Sequence, residues 1–407
     1  MSSVFSPDTP KDLLDCIKMA CGQGKKFEIR GQGSKLGWGR PIKNFSILDL
    51  SKLSGISLYE PKELVLSAAA GTPMKSIAET LRDNDQYLGF EPPKLSSLYG
   101  GSDNYGTLGG VIATNLSGPR RLSAGAARDH LLGFEAVSGA GEYFKSGGRV
   151  VKNVTGFDLS KLLAGSFGTL AAMTSITVKV LPRPNKSRTL LVRGLEDKAA
   201  IKVLSESLSL SLEVSGAAHL PIGVPNKSSV PYISSDSSSV TVIRLEGHAP
   251  SVEARCKIAK KVWREYGDIE ELHTHNTEKL WNEISGIATF LDQETDQIWR
   301  ISVPPSQGAE LLVKLKEKLK CDAFFDWGGG LIWLSESNET KYSEKIIREV
   351  MSEQSGHATL FRASDKDRES FDVFNPQSNA LMNITRKIKK NFDPYGVLNP
   401  ERMYEGI

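Results

Sequence analysis

The sequence predicts an α+β protein built from more than one domain, and three observations carry that prediction. Its 407 residues are too many for one ordinary hydrophobic core, so two or three domains are expected. Apolar runs of strand length alternate with amphipathic runs of helical period along the chain. The pattern then changes across Leu181-Pro182-Arg183-Pro184-Asn185-Lys186, where two prolines in a polar run follow a strand. The expected domains are 1–184 and 185–372, with a C-terminal segment over 373–407.

The first domain reads as mixed α/β. Residues 8–23 form a helix with Leu13, Leu14, Ile17, Met19 and Ala20 on one side, ended by Gly22 and Gly24. Strands follow at 27–30, 45–50 and 64–68, and Gly71-Thr72-Pro73 opens a helix to about Asp83, with proline tolerated near the first turn. Further strands fall at 133–138 and 174–181. Beyond the boundary, strands at 188–193, 213–219, 240–246, 298–303, 322–326 and 331–335 alternate with helices at 197–210, 250–266, 306–319 and 341–354. That repetition predicts an antiparallel sheet covered by helices on one side. Residues 225–239 are Ser-rich and polar, the signature of a flexible loop. A last helix runs from 375 to about Asn391, before the turn-rich Asp393-Pro394-Tyr395-Gly396-Val397-Leu398-Asn399-Pro400.

Composition excludes several classes. A net charge of +3, with no tract mixing dense Lys/Arg and aromatics, gives no footprint for nucleic acid. The run Arg386-Lys387-Ile388-Lys389-Lys390 reads as the solvated face of a helix, with a partner or an acidic membrane surface as the alternative. The amino terminus lacks a basic segment followed by an apolar core, and no window reaches the ~18 apolar residues of a membrane span. The expected placement is cytoplasmic, with any membrane contact peripheral. Cys16, Cys21, Cys256 and Cys321 are scattered, which fits a reducing compartment. They cannot supply the grouped thiolates of an iron–sulfur cluster, so electrons handled here must pass to another protein.

Glycine is concentrated between Leu98 and Pro182, in Gly100-Gly101-Ser102, Thr107-Leu108-Gly109-Gly110, Asn115-Leu116-Ser117-Gly118-Pro119-Arg120-Arg121 and Ala164-Gly165-Ser166-Phe167-Gly168-Thr169-Leu170. Glycine lets backbone approach a ligand closely, so this spacing suggests a flat, phosphate-bearing cofactor wrapped by main chain. Arg30-Gly31-Gln32-Gly33-Ser34-Lys35 follows a strand, as a phosphate loop does, but lacks the Gly-Lys-Ser/Thr order of a Walker loop. Thr107–Asn115 pairs two glycines with a helix start, whose amides suit a pyrophosphate. Thr155-Gly156-Phe157-Asp158 resembles a capping box. Taken singly, these segments also fit an ordinary glycine turn, tight helix packing and a plain helix start.

Together their order resembles the FAD-binding domain of the vanillyl-alcohol-oxidase and p-cresol-methylhydroxylase (PCMH) type. The likeness runs from Arg30-Gly31-Gln32-Gly33-Ser34 through Val65–Thr72, Gly100–Gly118 and Arg128-Asp129 to Gly165–Thr169. A narrower resemblance covers nearly the whole chain. Leu116–Arg121, Lys152–Asp158, Arg244–Gly247, Trp299–Ser302, Asp326–Gly329, Gly356–Thr359 and Asp393–Pro400 are similar to the smaller, E-type flavin subunit of bacterial glycolate oxidase. The Ser-rich 225–239 segment departs from that pattern by its extra length.

The resemblance implies a PCMH-type domain of two α/β subdomains, an antiparallel α+β cap, and a C-terminal segment returning to the FAD domain, where Asn399-Pro400 reaches the flavin edge. It implies FAD contacts at Arg30, Gly31, Gln32, Gly33, Ser34, Lys35, Gly71, Thr107, Leu108, Gly109, Gly110, Thr114, Ser117, Gly118, Arg120, Gly168 and Thr169. Relatives that attach FAD covalently use a His in the first loop or a Cys in the second. Here Ser34-Lys35 and Ala113-Thr114 stand instead, implying non-covalent FAD. No metal site is expected, since the His-x-Gly-Asp-Gly-Asn signature of larger relatives is missing and His273-Thr274-His275 lies in a charged stretch. His357 and Arg362 are the catalytic candidates, with a structural His and a salt-bridged Arg as the alternative. The implied partners are a second FAD-containing subunit, an iron–sulfur subunit and a small 2-hydroxy acid. A self-sufficient dehydrogenase and a non-catalytic assembly subunit are the other readings.

Overall fold

The computed structural model describes residues 3–95, 97–99, 106–149, 156–235, 237–292, 297–337 and 342–407. Gly100-Gly101-Ser102 and Lys152–Thr155, singled out above, lie outside them. The chain divides into one unit of 1–117, 125–182 and 376–407, and a second of 118–124 and 183–375. The sequence boundaries did not anticipate that 118–124 leaves the first unit and joins the second.

Among the described residues the first unit contains three sheets, the smallest an antiparallel pair of Gln86–Tyr87 with Leu181–Pro182. Val4–Phe5, Ser46–Asp49 and Phe27–Arg30 form a parallel three-stranded sheet with Ser46–Asp49 in the centre. Ile56–Glu60, Val65–Ala69, Ala171–Lys179, Leu131–Ser138 and Tyr143–Gly147 follow in that order as an antiparallel sheet of five. The helix Pro10–Gln23 starts on a reciprocal cap. The Thr9 hydroxyl accepts from Asp12 N at 3.1 Å, and the Asp12 carboxylate accepts from Thr9 N at 3.0 Å. Gly24, at φ 63°, ends it in the left-handed region. Leu13, Ile17 and Ala20 are fully buried against Phe27, Leu48, Val137, Val397 and Leu398. Burying Leu13 and Ile17 contributes about 1.5–3 kcal/mol each.

The second unit is an eight-stranded antiparallel sheet. Its order is Ile269–Leu272, Lys186–Arg193, Val240–Gly247, Val214–Leu220, Cys321–Asp326, Leu331–Glu336, Gln297–Ser302, His357–Arg362. The strand His357–Arg362 has few sequence signals and completes an edge that the strand count above left open. Fully buried Trp299, Phe325 and Trp281 come from the sheet and a covering helix. His219 is buried and satisfied, bonded to the Thr241 hydroxyl at 2.9 Å and to Asp197 at 3.1 Å.

The Ser-rich segment carries local structure that its composition did not announce. It forms short helical turns at Pro225–Lys227 and Pro231–Ser234, with Val230 and Ile233 buried. The Ser228 hydroxyl and the Ser229 amide donate to the Glu283 carboxylate at 2.6 and 2.9 Å. Serine here satisfies a carboxylate, which composition alone does not reveal.

Candidate functional site

A cleft in the first unit runs beside the 30–35 loop, and its walls come from three places in the sequence. Arg30, Gly31, Gln32, Gly33, Ser34 and Lys35 form one wall; Thr107, Gly109, Gly110 and Thr114 form another; Gly168 with Phe167, Asn399 and Arg402 closes the third. Ile29, Leu50, Ala70, Ala113, Ala171, Ala172 and Met173 line it with apolar surface. Mostly small apolar side chains beside a polar loop suit a flat ring system carrying a phosphate group.

The loop is shaped to receive an anion. Gly33 has φ 74°, and the amides of Gly33, Ser34 and Lys35 make no hydrogen bond among the described residues. The Lys35 ammonium bonds only the Ser34 hydroxyl, at 3.1 Å, with no carboxylate in ion-pair range among the described residues. Desolvation pushes its pKa down to about 8.

The second wall works differently from its sequence reading. The first amides of the helix Leu108–Ala113 are already bonded: Leu108 N to Thr72 O at 3.0 Å, Gly109 N to Ala70 O at 2.8 Å, and Gly110 N to the Thr107 hydroxyl at 3.2 Å. A pyrophosphate therefore finds no donors at that helix start. Gly31 and Gly109 serve close packing of chain on chain. A Cβ on Gly31 would lie 2.5 Å from the Thr107 hydroxyl, and one on Gly109 would lie 2.9 Å from Ala70 O. Both glycines line the cleft and also let two of its walls approach each other.

Several predicted contacts sit outside the cleft. Gly71 packs where a Cβ would meet Leu50 O at 2.0 Å, and Leu108 is buried. The Thr169 hydroxyl donates to Ser166 O at 2.7 Å, and the Ser117 hydroxyl accepts from Ala127 N at 2.9 Å. Gly118 and Arg120 belong to the second unit. There Arg120 donates from Nε and Nη2 to the Glu246 carboxylate at 2.9 and 2.8 Å. Arg244 joins from the other side, and the two guanidiniums hold the buried Glu246 carboxyl far below the usual carboxylate range. Arg30, though in the cleft, is engaged by Glu28.

Asn399, expected near the flavin edge, lines the cleft and works with Arg402, which sequence reasoning missed, as a clamp. The Asn399 side chain accepts from Ile29 N at 2.7 Å and donates to Phe167 O at 2.6 Å, bridging two walls. Arg402 donates to Leu36 O at 3.1 Å and Arg40 O at 3.3 Å, holding the far end of the loop. Behind them the Lys389 ammonium donates to Thr169 O, Leu398 O and Asp393 at 2.7, 2.8 and 2.7 Å. The turn-rich 393–400 run was the visible signal; the side-chain roles were not.

The catalytic candidates lie in the second unit at opposite ends of one strand. His357 begins it and Arg362 ends it, roughly 16 Å apart at strand rise, so the fold does not bring them together. His357 is exposed; partial desolvation, then the charges of Arg300, Arg121 and Arg348, push its pKa down. Arg362 is buried.

Residues 1–147 match the family model described as an FAD binding domain. The chain is 34% identical over 397 residues to the glycolate oxidase subunit GlcE of Escherichia coli, covering 98% of each protein. It is 24% identical to the glycolate oxidase subunit GlcD of Bacillus subtilis, covering 99% of this chain and 88% of that one. Among solved structures it resembles p-cresol methylhydroxylase with a TM-score of 0.75 at 12% identity, covering 98% of this chain and 88% of that one. That likeness establishes the PCMH-type fold. The cleft's open amides and unpaired ammonium fit the phosphates of FAD, and its small apolar walls fit a flat ring. The chain is an FAD-binding oxidoreductase and belongs to the family of the glycolate oxidase subunit GlcE.

Proposed function

We propose that this protein is the FAD-carrying subunit of a glycolate oxidase complex that converts glycolate to glyoxylate. The observation that carries the reading is the end-to-end similarity to GlcE. When bound, FAD supplies the two-electron acceptor for oxidation of a CH–OH group. Ser34, Lys35 and the amides of Gly33–Lys35 would hold its phosphates, while Thr107, Thr114, Gly110 and Gly168 border its path. Attachment is non-covalent: the described residues lining the cleft include neither His nor Cys.

His357 is the candidate proton acceptor for the substrate hydroxyl. Its lowered pKa keeps it neutral and able to take a proton near pH 7. Arg362, buried at the far strand end, is assigned a supporting place. Cys16, Cys21, Cys256 and Cys321 are free, and only Cys16 and Cys21 are near each other in sequence, too few for a cluster, so electrons leave through a partner iron–sulfur subunit beside a second FAD-containing subunit. No helix among the described residues is long and apolar enough to cross a membrane, and the proposed placement is cytoplasmic with peripheral membrane contact through partners.

The test is dye reduction by glycolate, using the purified chain alone and then co-expressed with the two partner subunits. Activity only with partners supports the complex. Full activity by the isolated chain would favour a self-sufficient 2-hydroxy-acid dehydrogenase, a reading supported by 26% identity to an Archaeoglobus fulgidus D-lactate dehydrogenase over 75% of this chain. Full activity of a complex whose FAD cleft has been broken in this subunit would make it an assembly subunit.

A further inference from the structure

The basic run Arg386–Lys390 has no part in the function above, and the fold shows what surrounds it. It lies in the helix Asn379–Phe392, 14 residues long, where the Ser378 hydroxyl caps the start by accepting from Leu381 N at 3.4 Å. The inward side of this helix is held firmly. The Phe392 and Phe144 rings lie 5.9 Å apart between centroids, and the Thr385 hydroxyl donates to Gln377 Oε1 at 2.8 Å. Lys389 is fully buried and makes the three bonds described above.

The outward side carries apolar and cationic groups in a set order. Leu381, Ile384, Lys387 and Lys390 stand three residues apart, so they form one inclined ridge along the helix surface, and all four are exposed. Single exposed aliphatic side chains are ordinary, but Leu381 and Ile384 are each 54% exposed on consecutive turns and make a patch. No Asp or Glu occurs between Asn379 and Phe392. The side chains of Arg386, Lys387 and Lys390 make no hydrogen bond or ion pair among the described residues. The ridge is therefore aliphatic at one end, cationic at the other, and without counter-charge on its own helix.

That order selects the kind of surface it fits. A helix lying in a membrane interface needs a broad apolar face. Here Ile388 and Phe392, which would widen the apolar stripe, are half-buried within the unit, and two aliphatic side chains remain. A groove on a protein suits the ridge better, with an apolar centre for Leu381 and Ile384 and carboxylates beside it for Lys387 and Lys390. A helix already fixed by Lys389 and Phe392 loses little freedom on docking.

We propose that the ridge of Leu381, Ile384, Lys387 and Lys390 docks a partner protein whose surface offers an apolar groove bordered by carboxylates. That this partner is a subunit of the oxidase complex rests on the function proposed above. Lys389 bonds Thr169 O and Leu398 O, next to Gly168 and Asn399 of the cofactor cleft. The docked partner is thus separated from that wall by about one helix diameter, 10–12 Å.

The test uses the full-length, FAD-loaded chain co-expressed with a tagged iron–sulfur subunit and the second FAD-containing subunit. The amount of this chain recovered with the tag is read as salt is varied. Ile384→Asp should reduce recovery roughly tenfold at every salt concentration. Lys387→Glu combined with Lys390→Glu should reduce it by a similar factor at low salt and by less at high salt, where exposed charges are screened. Leu381→Asp is the second apolar variant, should Ile384→Asp fail to fold; Tm and flavin content of the isolated chain check each one. Wild-type recovery in the folded apolar variant, or in the double charge reversal at low salt, would overturn the docking ridge and leave the complex in place. Loss of phosphatidylglycerol-vesicle binding, or of a dimer of the isolated chain, in variants that still assemble normally would overturn it in favour of a membrane or a second copy. No recovery of the wild-type chain with either subunit would overturn the ridge and the complex together. Ridge-dependent assembly without glycolate turnover would keep the ridge and remove the oxidase reading.

Discussion

Lys35 gives the sharpest test of the cofactor cleft, because its charge is poised to depend on what fills the loop. Desolvation lowers its pKa from 10.5 to about 8, while the Ser34 hydroxyl is its sole hydrogen-bond partner among the described residues. The negatively charged diphosphate of FAD against the ammonium would favour the charged form and raise that pKa again. Binding FAD above pH 8 must then bring a proton with it, and affinity must fall as that proton becomes scarce. With a free-state pKa of about 8 and a much higher bound-state value, affinity at pH 9 should be about tenfold weaker than at pH 7, or roughly 1.4 kcal/mol.

The sign for folding is opposite. Between pH 8 and about 10.4 the unfolded chain keeps the Lys35 proton while the FAD-free fold sheds it, so this group's contribution to stability rises with pH over that window. Equilibrium dialysis of FAD against apo-protein from pH 7 to 9 measures the first effect, and urea unfolding of the apo-protein measures the second. Lys35→Met should bind FAD more weakly at pH 7 and show no tenfold decline. A flat wild-type curve, or the same decline in Lys35→Met, would refute the placement of phosphate at this loop.

Three further perturbations follow from the packing. Gly31→Ala puts a Cβ 2.5 Å from the Thr107 hydroxyl, so it should cost about 1–3 kcal/mol and reduce bound flavin, read from Tm and from visible absorbance. Lys389→Met leaves the Asp393 carboxylate and the Thr169 and Leu398 carbonyls without their shared ammonium; urea unfolding should show a loss of about 3–5 kcal/mol. Glu246→Gln should cost a similar 3–5 kcal/mol by leaving Arg120 and Arg244 unneutralised. Since the folded Glu246 pKa is depressed, its stabilisation is present above the unfolded value near 4.3 and lost only in stronger acid. The gap in Tm between wild type and Glu246→Gln should therefore be the same at pH 7 and pH 5.

The parts of the fold that were legible are those whose signals are local. The first helix shows its Thr9–Asp12 cap, its Leu13–Ile17 stripe and its terminal Gly24 within sixteen residues, and every signal agrees. Less legible was Ile56–Glu60, an edge strand with no fully buried residue and so no clean alternation. The site divides in the same way. Glycine loops marked the cleft, but the use of each glycine depended on what packs behind it. Neither the Ala70 carbonyl that occupies the Gly109 amide nor the Glu246 carboxylate that occupies Arg120 is near in sequence. A residue type announces what it can do; its partner decides what it does.

That distinction explains where backbone strain appears in the first unit. Phe167 at φ 55° and Asn399 at φ 40° are both non-glycine residues in the left-handed region, and both line the cleft. Such conformations persist only where surroundings over-determine them. Here the determinant is visible: Phe167 O accepts from the Asn399 amide, whose other end accepts from Ile29 N, while Lys389 ties Thr169 O to Leu398 O. Contacts spanning more than two hundred residues thus set the third wall, and they exist only once the C-terminal segment has docked. The local sequence around Phe167 prefers another conformation, so that wall is held by tertiary bonds instead of by propensity.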